Sequence, residues 1–492
     1  MMFIIYRYNS AKQYTMRKRL LAASLGLVAF TCLFQSCKKD TPTDDNTTIV
    51  TPTDPDPEPQ KWKFIPPSPQ RNGDSEAGYD YLVYGDYLDS GIPYDAFVTF
   101  AGTGSNRLGR TGDNAALSHS HNAVTAPNGV RVVTTNCLNC HSQTLNGQLV
   151  VGLGNSTSDY TTDQSGNLAL VDFTIKGMFG ENSPEWEAYS RYSRGLNAVS
   201  GEIITEVRGV NPADKLSVTL SSYLNKHDLT WLGNPQLPIP DEVVPSDVPA
   251  WWLLRKKNAM FSAGSGRGDF ARIMMASGGL TMKDSTKARE IDNNFDDVLA
   301  FINSIEVPEY PESIDQDKAA LGEQLFNNNC ARCHGTYGDE ESFPNLLIAL
   351  DEIGTDPELT QSNFSYIYFA DWYNTSWFGK GENAANFQPT NGYVAQPLDG
   401  VWATAPYFHN GSLPTIYDVL NSKQRPEKWK RSFNTSDIDF EKVGWNYERS
   451  DISGSKIIYD TTLPGYGNQG HIYGDHLTEE ERFNVIEYLK TL

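Results

Sequence analysis

Cysteine is scarce: the 492 residues hold six, and their positions leave none for a structural disulfide. Cys32 and Cys37 lie in the N-terminal stretch, and the other four fall in two five-residue motifs. Methionine is also thin, and none follows Met282. No metal bound in the C-terminal part of the chain can therefore take a methionine ligand from that part. Positive charge is in deficit, with 40 Lys and Arg against 61 Asp and Glu for a net −21. That balance argues against a nucleic-acid partner and against direct docking on anionic lipid. No apolar run reaches the roughly 20 residues that a membrane-spanning helix needs. What remains is the composition of an exported or soluble globular protein, long enough for two or three domains.

Within this frame stand two pentapeptides, Cys137-Leu138-Asn139-Cys140-His141 and Cys330-Ala331-Arg332-Cys333-His334. C-x-x-C-H is the spacing at which two thiols add to the two vinyl groups of one haem while the next histidine reaches its iron. A zinc site would need a further Cys or Cys/His pair at ligand spacing, and none is present. A thioredoxin-like redox pair leaves unexplained a histidine placed identically after each pair. The motifs predict two covalently bound haem c groups, attached through Cys137 and Cys140 and through Cys330 and Cys333. His141 and His334 are the expected proximal iron ligands.

The N-terminus reads as an export signal starting at Met16. Arg17, Lys18 and Arg19 form its basic region, and Leu20 to Leu33 its apolar region. It closes on Leu33-Phe34-Gln35-Ser36-Cys37, which resembles a bacterial lipoprotein cleavage box with Cys37 as the acylated residue. Residues 1–36 are expected to be the signal. Residues 37–61, almost wholly Thr, Asp and Pro after Lys39, are the expected disordered tether. The implied location is the bacterial cell envelope, periplasmic or surface side, as an outer-membrane lipoprotein that touches membrane only through its anchor.

Along the folded part, Gln70 to Gly112 is rich in Tyr, Gly and Asp and reads as a loop-rich scaffold. Phe173 to Leu196 and Leu216 to Leu224 look helical. Asp297 to Ile305 reads as a short amphipathic helix stopped by Pro308 and Pro311, which set a boundary between 62–310 and 311–492. The second part opens with an apolar-striped helix over Asp317 to Asn328 and ends with one started by a Thr478–Glu481 capping box. Val298 to Ile305 matches Val485 to Leu492 in apolar pattern at an offset of 187 (485 − 298), close to the 193 between the motifs (330 − 137). Two related haem units in tandem follow. The expected fold is mainly α, two cytochrome-c-like haem domains with long loop-rich insertions.

An iron with two protein ligands carries electrons, whereas an open one binds small oxidants. For the second haem the distal candidates are His409, His471 and His476; for the first they are His119, His121, His227, Met178, Met260, Met274 and Met275. The loop Thr404-Ala405-Pro406-Tyr407-Phe408-His409-Asn410-Gly411-Ser412 resembles one in the bacterial di-haem peroxidase superfamily, which includes cytochrome c peroxidases and MauG enzymes. The peroxidases carry a ligand methionine shortly afterwards, and the matching region around Lys423 has none. The stretches Asp399 to Leu420, Val443-Gly444 and Leu463 to Gly474 resemble instead the di-haem rubber oxygenase-like branch. That resemblance implies a bis-histidine C-terminal haem, with His471 as the distal match and His409 as the alternative. It implies an N-terminal haem open on its distal side as reaction centre, and an aromatic beside the haems, matched by Trp251 or Trp252, as an electron relay. Arg255, Lys256 and Lys257 are candidates to pair with haem propionates. The function expected is a haem-dependent oxidoreductase using peroxide or O₂, or a pure electron carrier. The partners are a small-molecule oxidant, a redox protein, or both.

Overall fold

The four helices that frame the two motifs each start at a capping side chain. The computed structural model describes residues 61–492; the expected signal, the lipidation site Cys37 and nearly all of the tether lie outside the described residues. Asp284 accepts from the amides of Thr286 and Lys287 and starts the helix Ser285–Ser304. Ala288, Ile291, Phe295, Val298, Leu299 and Ile302 recur every three or four residues and are buried. Asp74 caps Ser75–Tyr84 and Asp315 caps Gln316–Asn329. Thr478 and Glu481 close a reciprocal capping box at the start of Glu479–Leu489.

These four helices form two crossed pairs. Ser75–Tyr84 packs on Ser285–Ser304, and Gln316–Asn329 packs on Glu479–Leu489. Each crossing needs a glycine. A Cβ at Gly78 would run into the carbonyl of Asp297, and one at Gly322 into that of Asn484. Asp297 and Asn484 are themselves 187 positions apart (484 − 297), the offset of the matching apolar patterns. The glycines themselves are 244 positions apart (322 − 78), so only the partner side of each approach keeps that offset.

Around the helices lie small sheets whose strands are two to five residues long, so the architecture is mixed. Leu346–Ala349 is the middle strand of one sheet, with Trp62 and Tyr393 both opposite Ile348. Gly266–Gly268 pairs with Ala385–Phe387, and His121–Thr125 with Arg131–Thr135. Two of these pairings cross the expected boundary at Pro308 to Pro311. The stretch 70–112 departs from its loop-rich expectation, since it holds the helices Ser75–Tyr84 and Tyr94–Ala101. The helix expected over 297–305 begins at Ser285, because its first turns carry the same apolar stripe only sparsely, through Ala288 and Ile291 among polar residues.

Two large apolar cores result. Trp251 is buried in the one against which Cys137 packs, and Trp252 in the one against which Cys330 packs. Both tryptophans belong to one 3-10 helix, Trp251–Lys256, so this turn joins the two cores. Among the described residues no helix is long and apolar enough to cross a membrane.

Candidate haem sites

The helix Gln316–Asn329 delivers the second motif. One further helical turn, Ala331–His334, ends at Gly335 with φ +80°, where a Cβ would strike the carbonyl of Ser342. This turn sets Cys330, Cys333 and His334 along one cavity of about 280 Å³. Burial, with the neighbouring Cys333, pushes the Cys330 thiol up to about 12. His334 Nδ1 lies 2.8 Å from the carbonyl oxygen of Gln396. A carbonyl only accepts, so Nδ1 carries the proton and Nε2 keeps its lone pair for a metal.

His471 faces His334 across this cavity, with ring centres 6.1 Å apart. A metal–nitrogen bond of about 2.0 Å plus about 1.1 Å to the ring centre, on each side, calls for roughly 6.2 Å. The gap thus suits one six-coordinate iron between the two rings. His471 has φ +44°, a left-handed backbone that is strained for a side-chain-bearing residue. Its amide donates to the carbonyl of Ile353 at 2.8 Å. Arg425 clamps the same loop through the carbonyls of Asn468 and Gly470, both at 2.7 Å, and of His471 at 3.1 Å. Burial pushes His471 down to about 3, helped by His334 and Arg425, and its Nδ1 is buried with no partner.

His409 lines the same cavity, but its ring stacks on Tyr393, at 4.1 Å between centres, rather than facing His334. Its Nε2 and the hydroxyl of Thr355 are buried without partners. Asp247, whose amide donates to the His409 carbonyl at 2.7 Å, has its carboxyl pushed well up by burial. These groups add polar atoms to a cavity lined mainly by apolar side chains. His476 is exposed and meets Asn329 Oδ1 at 3.1 Å.

The first motif is built differently. Asn136 accepts from the Leu138 amide and starts the 3-10 turn Cys137–Asn139, and the His141 amide donates to the Cys137 carbonyl at 3.0 Å. The His141 ring stacks on Trp251, 4.6 Å between centres and 20° from parallel. Burial pushes His141 down to about 4, and its Nδ1 has no partner. Cys140 Sγ lies near the Tyr160 hydroxyl and the Asn211 amide, at 3.8 and 3.7 Å.

The candidate distal ligands for the first haem are scattered. His121 opens a strand, with Nδ1 2.9 Å from the Ser118 hydroxyl and its ring against Phe97. The backbone carbonyl of His119 holds the Asn136 side chain. His227 is exposed and Met178 is 47% exposed. Met275 is fully buried, and Met260 and Met274 pack against the first core. Of the basic run, Arg255 is exposed while the two lysines are drawn into the fold. Lys256 pairs with Asp399 at 2.6 Å and with Glu341, while Lys257 is buried and bonded to Gln396. Arg255 reaches the Ile305 carbonyl at 3.5 Å.

Gln396 and Arg425 carry no signal in the sequence, because each acts through backbone carbonyls that any residue supplies. Both fall within residues 392–430, which match the family model described as RoxA-like, cytochrome c-like. The chain is also 28% identical over 354 residues to the uncharacterized protein y4iM of Sinorhizobium fredii (strain NBRC 101917 / NGR234), over 62% of this chain and 78% of that protein. It is 28% identical over 240 residues to the uncharacterized protein y4iJ of the same organism, over 37% of this chain and 39% of that protein. The matched segment supports the resemblance to the rubber oxygenase-like cytochromes, and a cytochrome c-like domain implies a bound haem c.

Proposed function

We propose that this chain is an exported di-haem c-type cytochrome with two unlike haems. Cys330 and Cys333 would hold one haem covalently, with His334 and His471 as its two iron ligands. Cys137 and Cys140 would hold the other, with His141 as proximal ligand and the distal side open. The 6.1 Å separation of the His334 and His471 rings carries this reading. Among the described residues no second imidazole stacks on or faces His141 as His471 faces His334; its ring neighbour is Trp251. Covalently held haem supplies a one-electron iron centre whose potential and reactivity follow its axial ligands.

The chain's own residues then divide the work. The Gln396 carbonyl keeps the His334 proton on Nδ1, and Arg425 holds the His471 loop in register. His409, Thr355 and Asp247, which line the same cavity, would contribute the polar groups that hold the second haem. Trp251 would relay electrons between the sites, since it touches His141 while Ala250 and Leu253 of the same segment line the second cavity. The proposed activity is peroxide reduction or O₂-dependent oxidation of an organic substrate at the first haem, with a small-molecule oxidant, a redox protein, or both as partners. Anchorage through an acylated Cys37 in the bacterial envelope belongs to the same proposal.

Low-temperature EPR and optical spectra of the haem-loaded full chain, with CO added after reduction, test it. One low-spin haem that refuses CO and one that binds it stoichiometrically are expected. Two low-spin haems that both refuse CO and peroxide would make the protein an electron carrier.

A further inference from the structure

Lys257 is the one residue of the basic run that is both buried, at 7% exposure, and without an ion-pair partner among the described residues. Its ammonium donates to the side-chain oxygen of Gln396 at 2.7 Å. The backbone carbonyl of that same Gln396 accepts from His334 Nδ1 at 2.8 Å. The other end of the Gln396 amide is tied as well, donating to the Val394 carbonyl at 3.1 Å. A neutral amide or hydroxyl would satisfy Gln396 at far smaller desolvation cost than a buried ammonium. Neighbouring Lys256 spends its charge on Asp399 and Glu341, so those carboxylates do not neutralise Lys257 through an ion pair. Burial draws Lys257 down to about 8, the direction expected of an ammonium with no carboxylate beside it.

We propose that Lys257 is a positioning residue for His334 whose uncompensated charge, held one residue behind the ligand by Gln396, biases the second haem toward its reduced form. This rests on the reading of His334 as an iron ligand. A cation in a weakly screened interior opposes the added positive charge of the oxidised centre, and it does so for the haem it adjoins rather than for both.

The test is a spectro-electrochemical titration of both haems in the full, haem-loaded chain, with EPR on each variant. Lys257→Met should reduce the ratio of reduced to oxidised second haem at fixed ambient potential by roughly ten-fold. The first haem should stay where it is, and Lys257→Arg should restore the second. Gln396→Glu, nearly isosteric, would neutralise the ammonium without removing it and should shift the second haem in the same direction. That variant keeps the test alive if Lys257→Met folds poorly. An unchanged second haem in both variants, or equal shifts of both haems, would overturn the proposal. Low-spin signals lost only in Lys257→Met, with no shift in Gln396→Glu, would reduce Lys257 to a packing role and overturn it too. If the unmutated protein binds two haems but the one at Cys330 and Cys333 lacks a bis-histidine signal, the ligand assignment itself fails, and that result is distinct from all the others.

Discussion

Trp251 lies nearly parallel to His141, at 20° and 4.6 Å between ring centres, while Trp252 beside it points into the other core. Trp252 is wholly enclosed and donates from Nε1 to the Asp399 carbonyl at 2.9 Å. One tight 3-10 turn thus sends consecutive indoles to different halves of the molecule. Among the described residues, Trp251 is the one of the pair that stacks on a motif histidine.

Replacing Trp251 should therefore separate electron traffic from folding. Trp251→Leu is expected to slow equilibration between the two haems, followed by flash photolysis of the CO adduct, and to cost about 0.5–1.5 kcal/mol of stacking beyond the lost area. Trp252→Leu should lower thermal stability more and leave that rate near its original value.

His471→Gly is a clean removal of the facing ring, since glycine tolerates φ +44° and relieves strain there. The second haem should turn high-spin and take up CO after reduction, and added imidazole should restore the low-spin spectrum. His409→Ala should leave the low-spin spectrum intact. The reverse pattern in EPR would move the ligand to His409.

Arg425→Lys keeps the charge but loses the planar fork that reaches five carbonyls, those of Asp418, Val419, Asn468, Gly470 and His471. A loss on the order of 2–3 kcal/mol is expected in denaturant titrations, with a broadened low-spin EPR signal from a loosened His471 loop.

His121 sets part of the acid limit. Burial, then the Arg110 and His119 charges, lowers it from 6.5 to about 4. Above pH 6.5 both folded and unfolded chains keep it neutral, so it has no effect on stability. Between 6.5 and about 4 only the unfolded chain takes the proton, so stability falls as pH falls, by up to roughly 3 kcal/mol. Comparing urea midpoints at pH 7 and pH 4.5, His121→Gln should show a shallower decline than the unmodified chain.

The local part of the site is legible in the sequence, because C-x-x-C-H is one helical turn and needs nothing distant to read. The apolar spacing of the helices that end the two expected units is legible too, and both helices form. What brings His471 to His334 is tertiary: a glycine pair at Gly354 and Gly470, a left-handed backbone and the Arg425 clamp. None of these has a periodic signature; the residue count left His409, His471 and His476 open, and only the family resemblance singled out His471. The helix Ser75–Tyr84 escaped notice because its stability comes from lying on Asp297 through Gly78, not from an apolar stripe of its own. Strands of two to five residues fall below any pattern length.

The sheet that joins Trp62–Phe64 to Leu346–Ala349 also sets a timetable. Trp62 meets Ile348, 286 positions further on (348 − 62), and closing so long a loop is slow. All four motif cysteines precede Leu346 in the chain, so under the proposed export each would leave the channel before this sheet could be completed. The attachment machinery would thus meet open thiols on an unfinished chain, and the strand at 346–349 would act as the clock. Pulse-labelling of the thiols during export should find all four reactive until that segment has emerged; early protection of Cys137 and Cys140 would show that the first motif closes on its own schedule.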